Sequence, residues 1–113
     1  MDVTEKYFRA LGWVQCEGHD ALMSLPYWEA PETLQGTLTL EQLPNITQSY
    51  PDFKKFVLEK MEGDYFVLIV MSTFIEWKNM EVENSSYTKT IKDNEILEAA
   101  VIAATRYFEN KVV

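Results

Sequence analysis

From Tyr65 to Trp77 the chain is dense in β-branched and aromatic residues, and this one segment commits it to a sheet. The odd-numbered side chains from Tyr65 to Trp77 are almost all apolar, and so are the even-numbered ones up to Val70. The first half therefore reads as a strand buried on both faces. Beyond Ser72 the even positions turn polar at Glu76 and Lys78, the pattern of a half-solvated strand. A reversal near Ser72-Thr73 and a second strand reaching about Val82 fit this best, although no Gly, Asn, Asp or Pro marks the turn. Glu83-Asn84-Ser85-Ser86 reads as the next turn, followed by a short strand from Tyr87 to Ile91.

Helices flank this segment. Asp2 is placed to cap an opening helix, with Glu5 three positions on as in a capping box. Val3, Tyr7, Phe8 and Leu11 share one face, and Gly12 is placed to end the helix in a left-handed conformation. Trp13 to Glu17 reads as a strand and Thr37 to Leu40 as a shorter one. Gly18 to Gly36, with Pro26 and Pro31, reads as the least regular stretch. A second helix opens near Thr47 or Ser49, with Pro51 in its first turn and Phe53, Phe56, Val57 and Met61 as its buried stripe. Asp93 or Asn94 is placed to cap a closing helix. Its apolar face runs through Ile96, Leu97, Ala100, Val101, Ala104 and Phe108, with small residues at Ala99, Ala100, Ala103 and Ala104. The expectation is one α+β domain over residues 1–113 in the order α-β-β-α-β-β-α. Three helices pack on a mostly antiparallel sheet of three to five strands.

Charge then limits what such a domain can meet. Asp and Glu number 18 against 10 Lys and Arg, a net charge of −8, spread over all three thirds of the chain. That opposes bulk electrostatic binding to nucleic acid or to an anionic membrane, and it favours a basic partner. The longest apolar run, Tyr65 to Met71, is too short to cross a bilayer. Cys16 has no partner for an internal disulfide, and the first residues carry no signal-peptide pattern. A cytoplasmic location is the expectation.

Reactive side chains are scarce. Cys16 and His19 are the only residues of their kinds. With Glu17 or Asp20 they supply part of a zinc site, but there is no second Cys/His pair to complete it. As a nucleophile and base they lack an identifiable third, orienting group. No Gly-rich phosphate loop precedes a helix, and the aromatic residues are not interleaved with Arg or Lys. The expectation is therefore no enzyme, no metal and no cofactor.

Two groups of residues are candidates for binding. Leu25-Pro26-Tyr27-Trp28-Glu29, with Glu32 beyond it, combines two aromatic rings suited to hot spots with nearby acid. The competing reading folds Trp28 back as a lid on the core. Glu76, Glu81 and Glu83 lie near a sheet edge, where they serve either as an acidic contact or as a solvated strand face.

The opening helix ending in Ala10-Leu11-Gly12-Trp13, the Leu43-Pro44-Asn45-Ile46-Thr47 segment before a helix, the hydrophobic hairpin and the Ala-rich closing helix together resemble the small phage ABA sandwich domains. Those domains occur in bacteriophages, prophages and some bacterial, including cyanobacterial, genomes. The resemblance implies a layered α+β fold and a phage or mobile-element setting. It carries no catalytic residues.

The functional expectation is a small acidic binding protein, phage- or prophage-encoded, that docks on a basic protein partner such as a host nucleic-acid-handling or defence protein. The alternative is a small-ligand binder or oligomeric scaffold with a pocket between the sheet and the 18–36 loop. A homo-oligomer is compatible with either.

Overall fold

The computed structural model describes residues 2–17, 26–31, 36, 38–91 and 95–111. The fold is α+β. Helix α1 (Val3–Ala10) is followed by strands β1 (Val14–Cys16), β2 (Tyr27–Glu29) and β3 (Thr39–Leu40). A mid-chain helix runs without a break through α2 (Tyr50–Phe53), a π-helical segment (Lys54–Leu58) and α3 (Glu59–Gly63). Strands β4 (Phe66–Val70), β5 (Phe74–Asn79) and β6 (Ser86–Thr90) lead to the closing helix α4 (Ile96–Lys111).

The sheet content divides differently from the expectation. Instead of one sheet, the described residues form two, each three-stranded and antiparallel, in the orders β1-β2-β3 and β4-β5-β6. The added strand is β2, which lies in the stretch read as irregular and pairs with both β1 and β3. Three residues between prolines are too few to show a period, so only the pairing across the small sheet reveals it. The observed order, with the mid-chain helix taken as one, is α-β-β-β-α-β-β-β-α. The reversal near Ser72 is present, closed by a bond from Met71 N–H to the Phe74 carbonyl at 2.8 Å. β5 stops at Asn79, three residues short of the expected Val82.

Helix α1 starts as its sequence directs. Asp2 Oδ1 accepts from the Glu5 amide at 2.7 Å. The reciprocal half of the capping box is not made, because the Glu5 carboxylate pairs with Arg9 at 3.1 Å instead. Gly12 ends the helix at φ +98, and the Trp13 amide reaches back to the Phe8 carbonyl at 3.0 Å. A β-carbon at Gly12 would also come within 3.0 Å of Pro31, so both backbone conformation and space require glycine there. The expected caps Asp93 and Asn94 lie outside the described residues.

One core joins these elements. Tyr7 and Phe8 of α1, Phe53, Val57 and Met61 of the mid-chain helix, Phe66, Ile75 and Trp77 of the second sheet, and Ala100, Val101, Ala103 and Ala104 of α4 are essentially inaccessible. Tyr7 and Phe8 meet edge to face at 5.4 Å, Phe8 meets Trp13 at 5.2 Å, and Phe53 stacks on Trp77 at 6.4 Å. The alanines of α4 keep its backbone near β5, close enough for the Trp77 indole to donate to the Ala100 carbonyl at 2.8 Å. The π-helical segment is marked by a bond from the Glu59 amide back to the Lys54 carbonyl. Within it, the Phe56 carbonyl accepts the buried Tyr7 hydroxyl at 2.5 Å.

Strand β4 departs most from its sequence. Read as buried on both faces, it is an edge strand, and its outer face is open. Val67 on that face is 41% exposed, and even Val70, at the strand's end on the Phe66 side, is 50% exposed. Among the described residues no element covers the face on which Val67, Glu76 and Lys78 lie, so apolar density in the sequence overstated the burial.

Candidate functional site

The strand alternation splits the first candidate group. Trp28 is paired with Gln15 and Leu40 and is 7% exposed within the core, with the Arg9 guanidinium 5.0 Å from its ring centroid. The indole is therefore held against the core as a lid. Tyr27 and Glu29 lie on the opposite face of β2 and are half-buried. Glu32 lies outside the described residues, as do 18–25, 33–35 and 37. The 18–36 loop invoked for a ligand pocket is thus largely outside them too.

Cys16 sits across from Tyr27 on β1, and its thiol donates to Glu29 Oε2 at 3.5 Å. Desolvation, followed by the hydrogen bond and the charge of Glu29, pushes the Cys16 thiol above its ordinary pKa. That holds it in the unreactive S–H form. His19 lies outside the described residues. Among the described residues no three His, Cys, Asp or Glu side chains converge as metal ligands, and no helix is long and apolar enough to cross a membrane.

The second candidate group does converge. Glu76, Glu81 and Glu83 line one concavity of about 440 Å³ at the β5–β6 connection, together with Lys78, Asn79, Met80 and Val82. Glu76 comes from the outer face of β5, and Glu81 and Glu83 from the turn that follows. None of the three carboxylates has an ion-pair partner within the described residues. Met80 is 65% exposed and Val82 58%, so two apolar side chains project from an acidic rim.

A rigid frame holds this turn. Asn79 Oδ1 accepts from the Glu81 amide at 2.8 Å and from the Val82 amide at 2.7 Å, while its Nδ2 donates to the Asp64 carbonyl at 3.2 Å. The Ser85 amide closes on the Val82 carbonyl at 3.3 Å. Asn84 takes φ +63, a left-handed conformation that Asn tolerates better than most residues. Met80, Val82 and Asn79 are the members that sequence reasoning missed. The alternation Met80-Glu81-Val82-Glu83 imitates a strand. The available signal was Asn79 itself, a turn-forming side chain at the end of an apolar run.

No family model, curated protein or solved structure matches this chain.

Proposed function

We propose that this chain is a non-enzymatic binding protein that docks on a basic protein surface through the β5–β6 turn. The observation carrying this reading is the convergence of Glu76, Glu81 and Glu83, unpaired, around the exposed Met80 and Val82. The carboxylates steer a cationic surface into contact. Met80, flexible and polarizable, and Val82 supply apolar area once water is expelled. Because Asn79 already fixes the turn, little ordering entropy is lost on binding. The phage or mobile-element setting belongs to the same proposal, and a host protein that handles nucleic acid offers a basic face of the required kind.

The test is affinity capture from bacterial lysate with the immobilised chain at low and moderate salt, beside a Glu81→Lys/Glu83→Lys variant. The expected result is a basic protein retained by the parent chain, lost with the variant and weakened by salt. Recovery of nothing above background at either salt, or equal capture by the charge-reversed variant, refutes the reading.

A further inference from the structure

Strand β4 has the composition of an interior strand and the position of an edge. Phe-Val-Leu-Ile-Val carries no charge, no proline and no bulge, the devices by which exposed edges avoid pairing. The opposite edge carries a charge, Lys89. β6 is Ser-Tyr-Thr-Lys-Thr, and Arg106 of α4 donates to the Thr88 carbonyl at 3.1 Å, occupying one of its outward-facing groups.

Ladder parity shows what β4 offers. The Met80 amide bonds the Tyr65 carbonyl and the Met71 amide bonds the Phe74 carbonyl, so the odd-numbered residues of β4 spend their backbone groups on β5. Phe66, Leu68 and Val70 therefore point their N–H and C=O groups away from the sheet, and none of them has a partner among the described residues.

We infer that β4 pairs antiparallel with β4 of a second copy, about a twofold axis through Leu68, joining two three-stranded sheets into one of six strands. Centred there, Leu68 faces Leu68 and Phe66 faces Val70, so every outward-facing residue is satisfied. Shifting the register two residues either way leaves one of them facing a residue outside the strand. On the outer face the same register sets Val67 against Ile69 and Tyr65 against Met71. Tyr65, Val67 and Met71 are 57%, 41% and 49% exposed, and each finds an apolar counterpart.

Charge fits this occupant. Each chain carries −8, so two copies repel except where a surface is locally neutral, as β4 is. Lys78 flanks Val67 and Glu76 flanks Ile69 on β5, so each cross-sheet row of the pair holds one lysine and one glutamate from different copies. The shifted registers instead align Lys78 with Lys78 or Glu76 with Glu76. A single strand edge covers less than the ~800 Å² per partner of a standard interface, so the dimer is expected to be micromolar. Tyr65 adds a second pointer. It holds a left-handed φ of +69, where Gly would be cheaper, and is exposed at the start of this edge.

Sedimentation of the full chain at concentrations on the order of 10–100 µM should give twice the mass of one chain. Val67→Lys places a charge in the seam, and Val70→Pro removes an outward N–H without touching the β4–β5 ladder. Each should raise the dissociation constant at least about tenfold while the far-ultraviolet spectrum and melt stay native. Thr88→Lys on the other edge should leave it unchanged. Register is read in a Cys16→Ala background. Val67→Cys and Ile69→Cys chains should form a disulfide when mixed under oxidation and neither should do so alone, since like positions lie roughly 8 Å apart.

A monomer throughout that range overturns the inference. So does a dimer indifferent to both folded β4 variants, or a monomer that takes up an unrelated extended peptide at this edge. Failure of the acidic-turn capture experiment leaves it untouched, because Glu81 and Glu83 lie outside the seam.

Discussion

The indole N–H of Trp77 donates to the main-chain carbonyl of Ala100 at 2.8 Å, tying the centre of β5 to the second turn of α4 from a site with no solvent exposure. Only a small residue at the crossing lets a helix carbonyl come this close to a strand side chain. Trp77→Phe removes the donor and part of the ring, and should cost about 2–3 kcal/mol. Ala100→Leu should cost about 1–3 kcal/mol by overpacking the same contact. Urea denaturation should show lower midpoints with unchanged slopes.

Tyr7 makes stability fall at high pH. Burial pushes its hydroxyl well above the ordinary tyrosine pKa. The folded chain thus keeps a proton that the unfolded chain releases near pH 10, and each further pH unit costs about 1.4 kcal/mol from this group. Tyr7→Phe loses the bond to the Phe56 carbonyl, worth about 1 kcal/mol at neutral pH. Its stability should then decline less steeply than the parent's above pH 10, as followed by denaturation at a series of pH values.

Asp64 fastens the end of the closing helix to the α3–β4 junction. Tyr107 donates to its carboxylate at 2.7 Å and Lys111 at 3.0 Å. Partial desolvation raises its pKa, and these two hydrogen bonds with the lysine charge outweigh that, leaving it below the usual aspartate value. Its contribution is therefore complete above about pH 4 and is lost as pH falls through the depressed value. Asp64→Asn should lose about 0.5–1 kcal/mol at neutral pH, a modest figure because Lys111 is largely exposed. The gap between the two proteins should close on acidification.

Relieving Tyr65 should stabilise the monomer. At φ +69 the tyrosine bears a steric penalty that glycine does not, and its exposed ring makes few contacts to lose. Tyr65→Gly should gain about 1 kcal/mol, read as a rise in melting temperature at concentrations too low for self-association.

For the acidic turn, the expected signature is kinetic. With the captured partner in hand, Glu81→Lys/Glu83→Lys should slow association about tenfold or more at low salt, with the difference narrowing as salt rises. Stopped-flow mixing across salt concentrations measures this.

The local elements were legible in the amino-acid sequence. Asp2 and Gly12 bound the first helix, Pro51 opens the second, Tyr65 to Trp77 makes a hairpin, and an alanine-rich face closes the fold. Each follows from short-range chemistry: a capping oxygen, a left-handed glycine, a missing N–H, the period of apolar side chains. Long-range packing settled which side of each strand meets the core. It turned Trp28 inward and Tyr27 outward on a strand too short to show alternation. It set β4 at an edge although its residues read as interior, and it gathered Glu76, Glu81 and Glu83 around one concavity. The reason is physical: apolar residues along a strand record that both faces are suited to burial, whereas a neighbour far away in the chain, or a second copy, has to supply the cover.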